Sequence, residues 1–252
     1  MITNADHLKG MSIHAKDGEA GIVDQFYFDD ETWVIRYFTA EAGWLGDRQI
    51  LISPLSLVRT DWQARRFDVG LTKSQIRDSP SLSAREPVSR EHEVEYLGYY
   101  GYPRYWGGQP PQNAPIPAGA RLRRDSTDAH LRSQNAVTGY KIQGPDGEIG
   151  KVESFLIDDL TWTIRYVEAS TRSWWPGGKV LISPEWIERI SWVDSTVDAG
   201  LTREAVKSAP SYSHDRPVTR DYEDLLHRHY GHPPYWQEAG QIQMPAVAGK
   251  TS

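Results

Sequence analysis

The sequence states most of its pattern twice. Asp17–Tyr37 reads DGEAGIVDQFYFDDETWVIRY and Asp146–Tyr166 reads DGEIGKVESFLIDDLTWTIRY, with 13 of 21 positions identical at a constant offset of 129. The match resumes at an offset of 130. ILISP (Ile50–Pro54) meets VLISP (Val180–Pro184), DVGLT (Asp68–Thr72) meets DAGLT (Asp198–Thr202), and YYGYPRYW (Tyr99–Trp106) meets HYGHPPYW (His229–Trp236). Solenoid units run roughly 20–50 residues, so a period this long indicates a duplicated small domain. Whatever fold the first copy takes, the second must be able to take it too.

The repeat divides the 252 residues into residues 1–106 as repeat one with its extension, 107–135 as a Pro/Gly-rich linker, 136–236 as repeat two, and 237–252 as a flexible tail. The composition fits two small domains with aromatic interiors. Hydrophobic content is 38%, but ten Trp and thirteen Tyr are available, and each buried aromatic removes roughly 150–250 Å² from water. A net charge of −6 offers no broad positive field, which argues against a general nucleic-acid role, since counterion release needs clustered cations. No cysteine is present, which excludes disulfides and thiolate metal ligands. No apolar run reaches the ~20 residues of a membrane span, and MITNADHLKG lacks a signal-peptide pattern. A cytoplasmic location is the expectation.

Within each repeat, β-type runs alternate with turn signals. Lys16-Asp17-Gly18-Glu19 and Pro145-Asp146-Gly147-Glu148 place Asp-Gly between extended segments, a strong hairpin cue. A strand over about Gly21–Phe28 (Gly150–Ile157 in the copy) leads into an Asp-rich turn. Trp33–Phe38 and Trp162–Val167 follow as β-branched and aromatic runs, with Ile35 and Tyr37 on one face and Arg36 on the other. Further strands are expected near Gln49–Ser53, Ser56–Trp62 and Arg66–Val69. Five or six short strands in such a length cannot form a sandwich but can close a small barrel, removing exposed edges. Thr72-Lys73-Ser74-Gln75 resembles a capping box, and Pro80 and Pro210 stop that short helix. A second helix starts after Ser89 or Thr219, which supply N-cap hydroxyls, and ends at Gly101 or Gly231.

These motifs together, DGExGxV, FxxDDxTWxIRY and a Trp-containing Gly-rich loop running into LISP (Gly43–Pro54 and Ser173–Pro184), resemble the PRC-barrel family. That family is named for the photosynthetic reaction-centre H subunit, and its fold also occurs in the ribosome-maturation factor RimM. The resemblance covers about 70–75 residues of each repeat. It implies a mainly β protein of two tandem six-stranded PRC-type barrels, pseudo-twofold related, each followed by short helices. It also implies a non-enzymatic binding or scaffold role without a cofactor, with a protein partner or self-association. Other members suggest an RNA- or ribosome-associated factor, or a protein tied to photosynthetic electron transport. A metal-binding role is the remaining alternative.

The candidate site residues fall into four groups. Trp44, Trp174 and Trp175 sit on Gly-rich loops where a core role is awkward, so they read as interaction residues. Tyr105 and Trp106, with Tyr235 and Trp236, end the repeats, and such aromatics suit interfaces; both copies keep them, so each tail is expected to pack on a barrel, its own or the other's. Asp29 and Asp30, with Asp158 and Asp159, read as turn residues bonded to the backbone, with Arg36 and Arg165 as ion-pair partners. His227, His229 and His232, with His214 nearby, form a weak metal-like group; repeat one has Leu97, Tyr99 and Tyr102 at the first three positions, so no metal is expected. The basic run Arg121-Leu122-Arg123-Arg124 reads as solvated linker. No nucleophile triad, P-loop or dinucleotide fingerprint occurs.

Overall fold

The computed structural model describes residues 1–45, 48–82, 88–106, 130–171, 178–214 and 216–238. Repeat one contains β1 (Ile2–Asn4), β2 (Ser12–Ala15), β3 (Gly18–Asp29), β4 (Ile35–Glu41), β5 (Gln49–Ile52), β6 (Leu57–Asp61), β7 (Arg66–Val69), α1 (Lys73–Arg77), β8 (Ser81–Leu82) and α2 (Arg90–Tyr100). Repeat two contains β9 (Leu131–Ser133), α3 (Gln134–Val137), β10 (Lys141–Gly144), β11 (Gly147–Asp158), β12 (Thr163–Ser170), β13 (Lys179–Ile182), β14 (Ile187–Ser191), β15 (Thr196–Ala199), α4 (Arg203–Lys207), α5 (Arg220–Tyr230) and α6 (Tyr235–Glu238).

Local chemistry accounts for most of these elements. The β2–β3 turn consists of Lys16 and Asp17, with Ala15 paired to Gly18, and Gly18 holds φ at 125°, a region a Cβ resists. Asp17 reaches across and accepts the N–H of Lys73 at 2.7 Å, tying the hairpin tip to the start of α1; Asp146 accepts from Arg203 N at 2.8 Å in the copy. Thr72 and Gln75 close a reciprocal capping box. The LISP motif has the same kind of explanation. Ser53 and Ser183 cap 3-10 turns by accepting from Leu55 N at 3.2 Å and Glu185 N at 3.4 Å, and the following proline stands where no N–H is needed. Gly101 and Gly231 end α2 and α5 in the left-handed region, at φ 70° and 71°.

The two repeats exchange their first strands. β1 pairs with β11 of the other repeat, Ile2 opposite Asp158 and Asn4 opposite Leu156. β9, equivalent to β1 at the offset of 129, pairs with β3, Leu131 opposite Asp29 and Ser133 opposite Tyr27. The register is the same in both. On the axis between them, Ile35 N donates to Trp162 O and Ile164 N donates to Trp33 O, both at 2.8 Å. Phe26 meets its own counterpart Phe155 edge to face at 5.9 Å, and Trp162 packs on Phe38 and Phe67 of the other repeat at 5.1 and 5.8 Å. One continuous core therefore contains buried residues of both repeats, among them Phe26, Phe38, Phe67, Phe155 and Val197. A second, smaller cluster (Tyr27, Tyr37, Leu51, Tyr96, Leu97, Leu131) lies under α2.

Several expectations change. The molecule is mainly β and duplicated, and β2–β7 of repeat one correspond in order to β10–β15 of repeat two. The hydrogen-bonded paths run β6-β7-β2-β3-β4-β5-β8 and β13-β12-β11-β10-β15-β14 and stay open between their ends, so two sheets, rather than closed barrels, describe the pairing. Ile35 and Tyr37 do not share a face: the register shifts between Tyr27/Tyr37 and Phe28/Ile35, leaving Arg36 as the extra residue of a bulge. Ile35 then points into the joint core and Tyr37 into the cluster under α2. Arg165 is the matching bulge residue. The second repeat begins earlier than residue 136, because residues 131–135 belong to β9 and the start of α3; residues 107–129 and the basic run at 121–124 lie outside the described residues. The tail boundary also moves, since Gln237 and Glu238 end α6; residues 239–252 lie outside.

Phe155 stands where the halves meet, so Phe155→Ala is expected to cost about 3–5 kcal/mol. Urea unfolding of that variant, followed by fluorescence and circular dichroism, is expected to remain one coincident transition, because no core belongs to one repeat alone.

Candidate functional site

The aromatic tails fold onto their own repeats and close around a buried glutamate. In repeat one, Tyr37 and Tyr105 both donate to Glu93 Oε1, at 3.0 and 2.6 Å, and Arg90 Nη1 stands 3.3 Å from Glu93 Oε2. The Arg36 guanidinium lies 3.7 Å over the Tyr105 ring and that of Arg90 lies 4.2 Å over Trp106. Repeat two repeats this set residue for residue. Tyr166 and Tyr235 donate to Glu223 Oε1 at 3.0 and 2.9 Å, Arg220 pairs with Glu223 at 3.1 Å, and Arg165 and Arg220 stack on Tyr235 and Trp236 at 4.1 and 4.0 Å. Burial raises the hydroxyls of Tyr37, Tyr105 and Tyr166 well above the ordinary tyrosine value, reinforced by the neighbouring carboxylate, and pushes Tyr235 up to about 12. Glu93 and Glu223 are 0% and 2% exposed. Closed in this way, the clusters act as clamps for the tails rather than as open acid–base sites.

The two aspartates of each turn have different partners. Asp29 accepts from Glu31 N and Thr32 N at 3.1 and 2.9 Å and faces Arg36 at 3.9 Å. Asp158 accepts from Leu160 N at 3.1 Å and pairs with Arg165 at 3.2 Å. Burial alone would raise Asp158, but the hydrogen bonds from Leu160, Thr161 and Arg165 carry it below the usual carboxylate range. The second aspartate anchors the strand that crosses from the other repeat. Asp30 pairs with Arg132 of β9 at 2.8 Å, while Asp159 pairs with the amino group of Met1.

The histidines do not converge. His227 is buried between Tyr166 Oη (3.1 Å) and Pro233 O (3.1 Å), and burial lowers its pKa. His229 Nε2 bonds Ala205 O at 2.8 Å, the carbonyl equivalent to Gln75 O, which Tyr99 uses in repeat one at 3.0 Å. His232 stacks on Trp186 at 5.2 Å. Trp186 replaces Ser56, and Leu226 replaces Tyr96, so bulk has moved from the helix to the turn and the histidines fill the altered space. Among the described residues no group of three or more His, Asp or Glu is placed to hold a metal. Trp44 is 41% exposed, with Lys73 Nζ 5.6 Å above its ring; Trp174 and Trp175 lie outside the described residues.

Apart from His214, the residues that line one open groove are not among the candidates read from the sequence. A groove of about 510 Å³ runs between β1, the β6–β7 turn and the chain after α4, lined in part by Thr3, Asn4, His7, Trp62, Arg65, Tyr212, His214 and Arg216. Beneath it lies Glu168, fully buried. Its oxygens are held by Lys179 at 2.5 Å, Asn4 Nδ2 at 3.0 Å and His214 Nδ1 at 3.2 Å. Burial and that carboxylate push Tyr212 up to about 12. In repeat one the place of Glu168 is taken by Thr39 and that of Lys179 by Gln49. A charged pair standing where the duplicate is neutral was the available signal. No helix among the described residues is long and apolar enough to cross a membrane. Compared with known proteins, the sequence matches no family model and no curated protein.

Two variants check these assignments. His229→Tyr, which restores the residue of repeat one to a position with the same carbonyl partner, is expected to change stability by less than about 0.5 kcal/mol, measured by chemical denaturation. Burial raises the Glu223 carboxyl above its ordinary value of 4.5. A raised carboxyl favours folding below its unfolded value and withdraws that support as the pH rises through the folded value. Glu223→Gln has no such titration, so its unfolding free energy relative to wild type is expected to rise as pH increases from 4 toward 8, by denaturant melts at each pH.

Proposed function

We propose that the chain is a non-enzymatic binding or scaffold protein, a tandem PRC-type barrel protein built as a permanent dimer within one polypeptide. The observation that supports this most directly is the reciprocal exchange of β1 and β9, each completing the sheet of the other repeat in the same register. Closed point-group dimers use the same patch twice, and here the patch includes the self-pairing of Phe26 with Phe155 and the matched bonds at Trp33 and Trp162. The order of motifs in each repeat, a DG hairpin, the DD turn and LISP followed by two strands, supports the PRC-type part of this reading. The aspartates, glutamates and tyrosines that both copies keep are bonded inside, on the tails and turns, which favours architecture over catalysis. Surfaces that differ between the copies, with Trp44 on its exposed loop, are then the places to meet a partner protein.

Limited proteolysis within residues 107–129 tests the dimer. The two fragments are expected to co-elute on size exclusion at the mass of the intact chain and to part only in denaturant. Fragments that separate as folded monomers in buffer would overturn the reading.

A further inference from the structure

The pseudo-twofold axis supplies an internal control for the groove, because each of its walls has a counterpart on the other side. Trp62, on the β6–β7 turn, corresponds to Trp192 on the β14–β15 turn, and Thr3 of β1 corresponds to Arg132 of β9. On the second side the Arg132 guanidinium lies 4.1 Å over the Trp192 ring and pairs with Asp30 at 2.8 Å, so the indole face is covered by the protein's own cation. On the first side residue 3 is too short to do this. Thr3 is buried and its hydroxyl has no hydrogen-bond partner, and Trp62 borders open space. The chain after α4 differs as well: β8 pairs with β5 in repeat one, whereas the corresponding Ser211 and Tyr212 form no strand, and Tyr212 lines the groove instead.

Among the described residues that line this opening, the charged side chains are Arg65 and Arg216. Arg65 and Arg216 have no carboxylate within ion-pair distance among the described residues, and His7 and His214 face the same space. Arg65 uses one nitrogen on Lys9 O at 2.6 Å. The acidic groups nearby have other partners. Glu168 is held by Lys179, Asn4 and His214. Asp6 accepts from Ser154 and lies 3.9 Å from His214, and Asp159 holds the Met1 amino group. In a chain of net charge −6, this is a local reversal of sign. The volume falls within the range of about 300–1,000 Å³ typical of small-molecule sites, and aromatic walls with a few convergent cations suit a flat ring carrying an anionic group.

We infer that this groove binds a small planar aromatic anion, its ring against Trp62 and Tyr212 and its phosphate, sulfonate or carboxylate toward Arg65 and Arg216. The strand exchange between the repeats needs no ligand, so failure of this inference leaves the built-in dimer standing. Calorimetric titration of the full chain with naphthalene-1-sulfonate, sodium sulfate and 1-naphthylmethylammonium tests the inference. The aromatic sulfonate is expected to bind one per chain, and both the inorganic anion and the aromatic cation are expected to bind about tenfold more weakly or worse. Thr3→Arg, which supplies the cation that Arg132 supplies on the other side, and Arg216→Glu are each expected to weaken the sulfonate about tenfold or more with an unchanged thermal midpoint. Should Thr3→Arg fail to fold, Trp62→Ala carries the same expectation. No heat at about 1 mM sulfonate, equal affinity for the cation, or full affinity in the folded variants overturns it.

Discussion

The pair of backbone hydrogen bonds joining Trp33 and Ile35 to Trp162 and Ile164 holds the molecule together where its symmetry axis passes. Each tryptophan sits at a left-handed φ, 57° and 55°, which costs a bulky residue roughly 1–3 kcal/mol. The bend is what turns each carbonyl toward the other repeat, and it places Trp162 against Phe38 and Phe67. Each hydrogen bond contributes only about 1 kcal/mol net. The larger return is the apolar area that the bend lets the two repeats bury against each other, at about 25 cal/mol per Å². The exchanged strands extend the same joint outward. With Asp30 and Asp159 holding the strand that arrives from the opposite repeat, neither sheet is complete without the other.

That constraint separates positions free to diverge from those that are not. Turn aspartates, bulge arginines, buried glutamates and tail tyrosines recur because each touches the joint or clamps a tail onto it. Away from the axis, change has come in compensated sets. Ser56 and Tyr96 have become Trp186 and Leu226, with His227 and His232 fitted against the new indole. Glu168 and Lys179 stand where repeat one has Thr39 and Gln49, and the buried carboxylate accepts from Lys179 Nζ on one oxygen and Asn4 Nδ2 on the other. The histidines confined to one copy serve as packing and carbonyl partners, His227 and His232 against Trp186 and His229 at Ala205 O.

Much of the fold was legible because its causes are local. Asp-Gly turns, Ser-Pro caps, the capping box at Thr72 and the glycines after α2 and α5 each act within a few residues of themselves. The strand exchange was not legible. β1 and β9 are three residues long, carry little apolar pattern, and owe their pairing to an axis formed by distant segments. The bulge at Arg36 was hidden for a related reason: alternation read along a single strand cannot show that its partner skips a residue. The groove combines residues near positions 3, 62 and 212, so no window of sequence contains it, although comparing the copies position by position marks Thr3 against Arg132.

A true homodimer of this subunit would have to keep both grooves or neither, because one gene would specify both walls. Joining the copies in one chain removes that requirement. Arg132 can cover Trp192 and strengthen the crossing of β9 through Asp30, while Thr3 leaves Trp62 uncovered with no loss to the opposite side. The Glu168–Lys179 pair, with no charged counterpart in repeat one, lies on the open side, where Asn4 and His214 both contact Glu168 and line the groove. Duplication followed by fusion therefore permits division of labour within one core, with one side tightened into structure and the other left open for recognition.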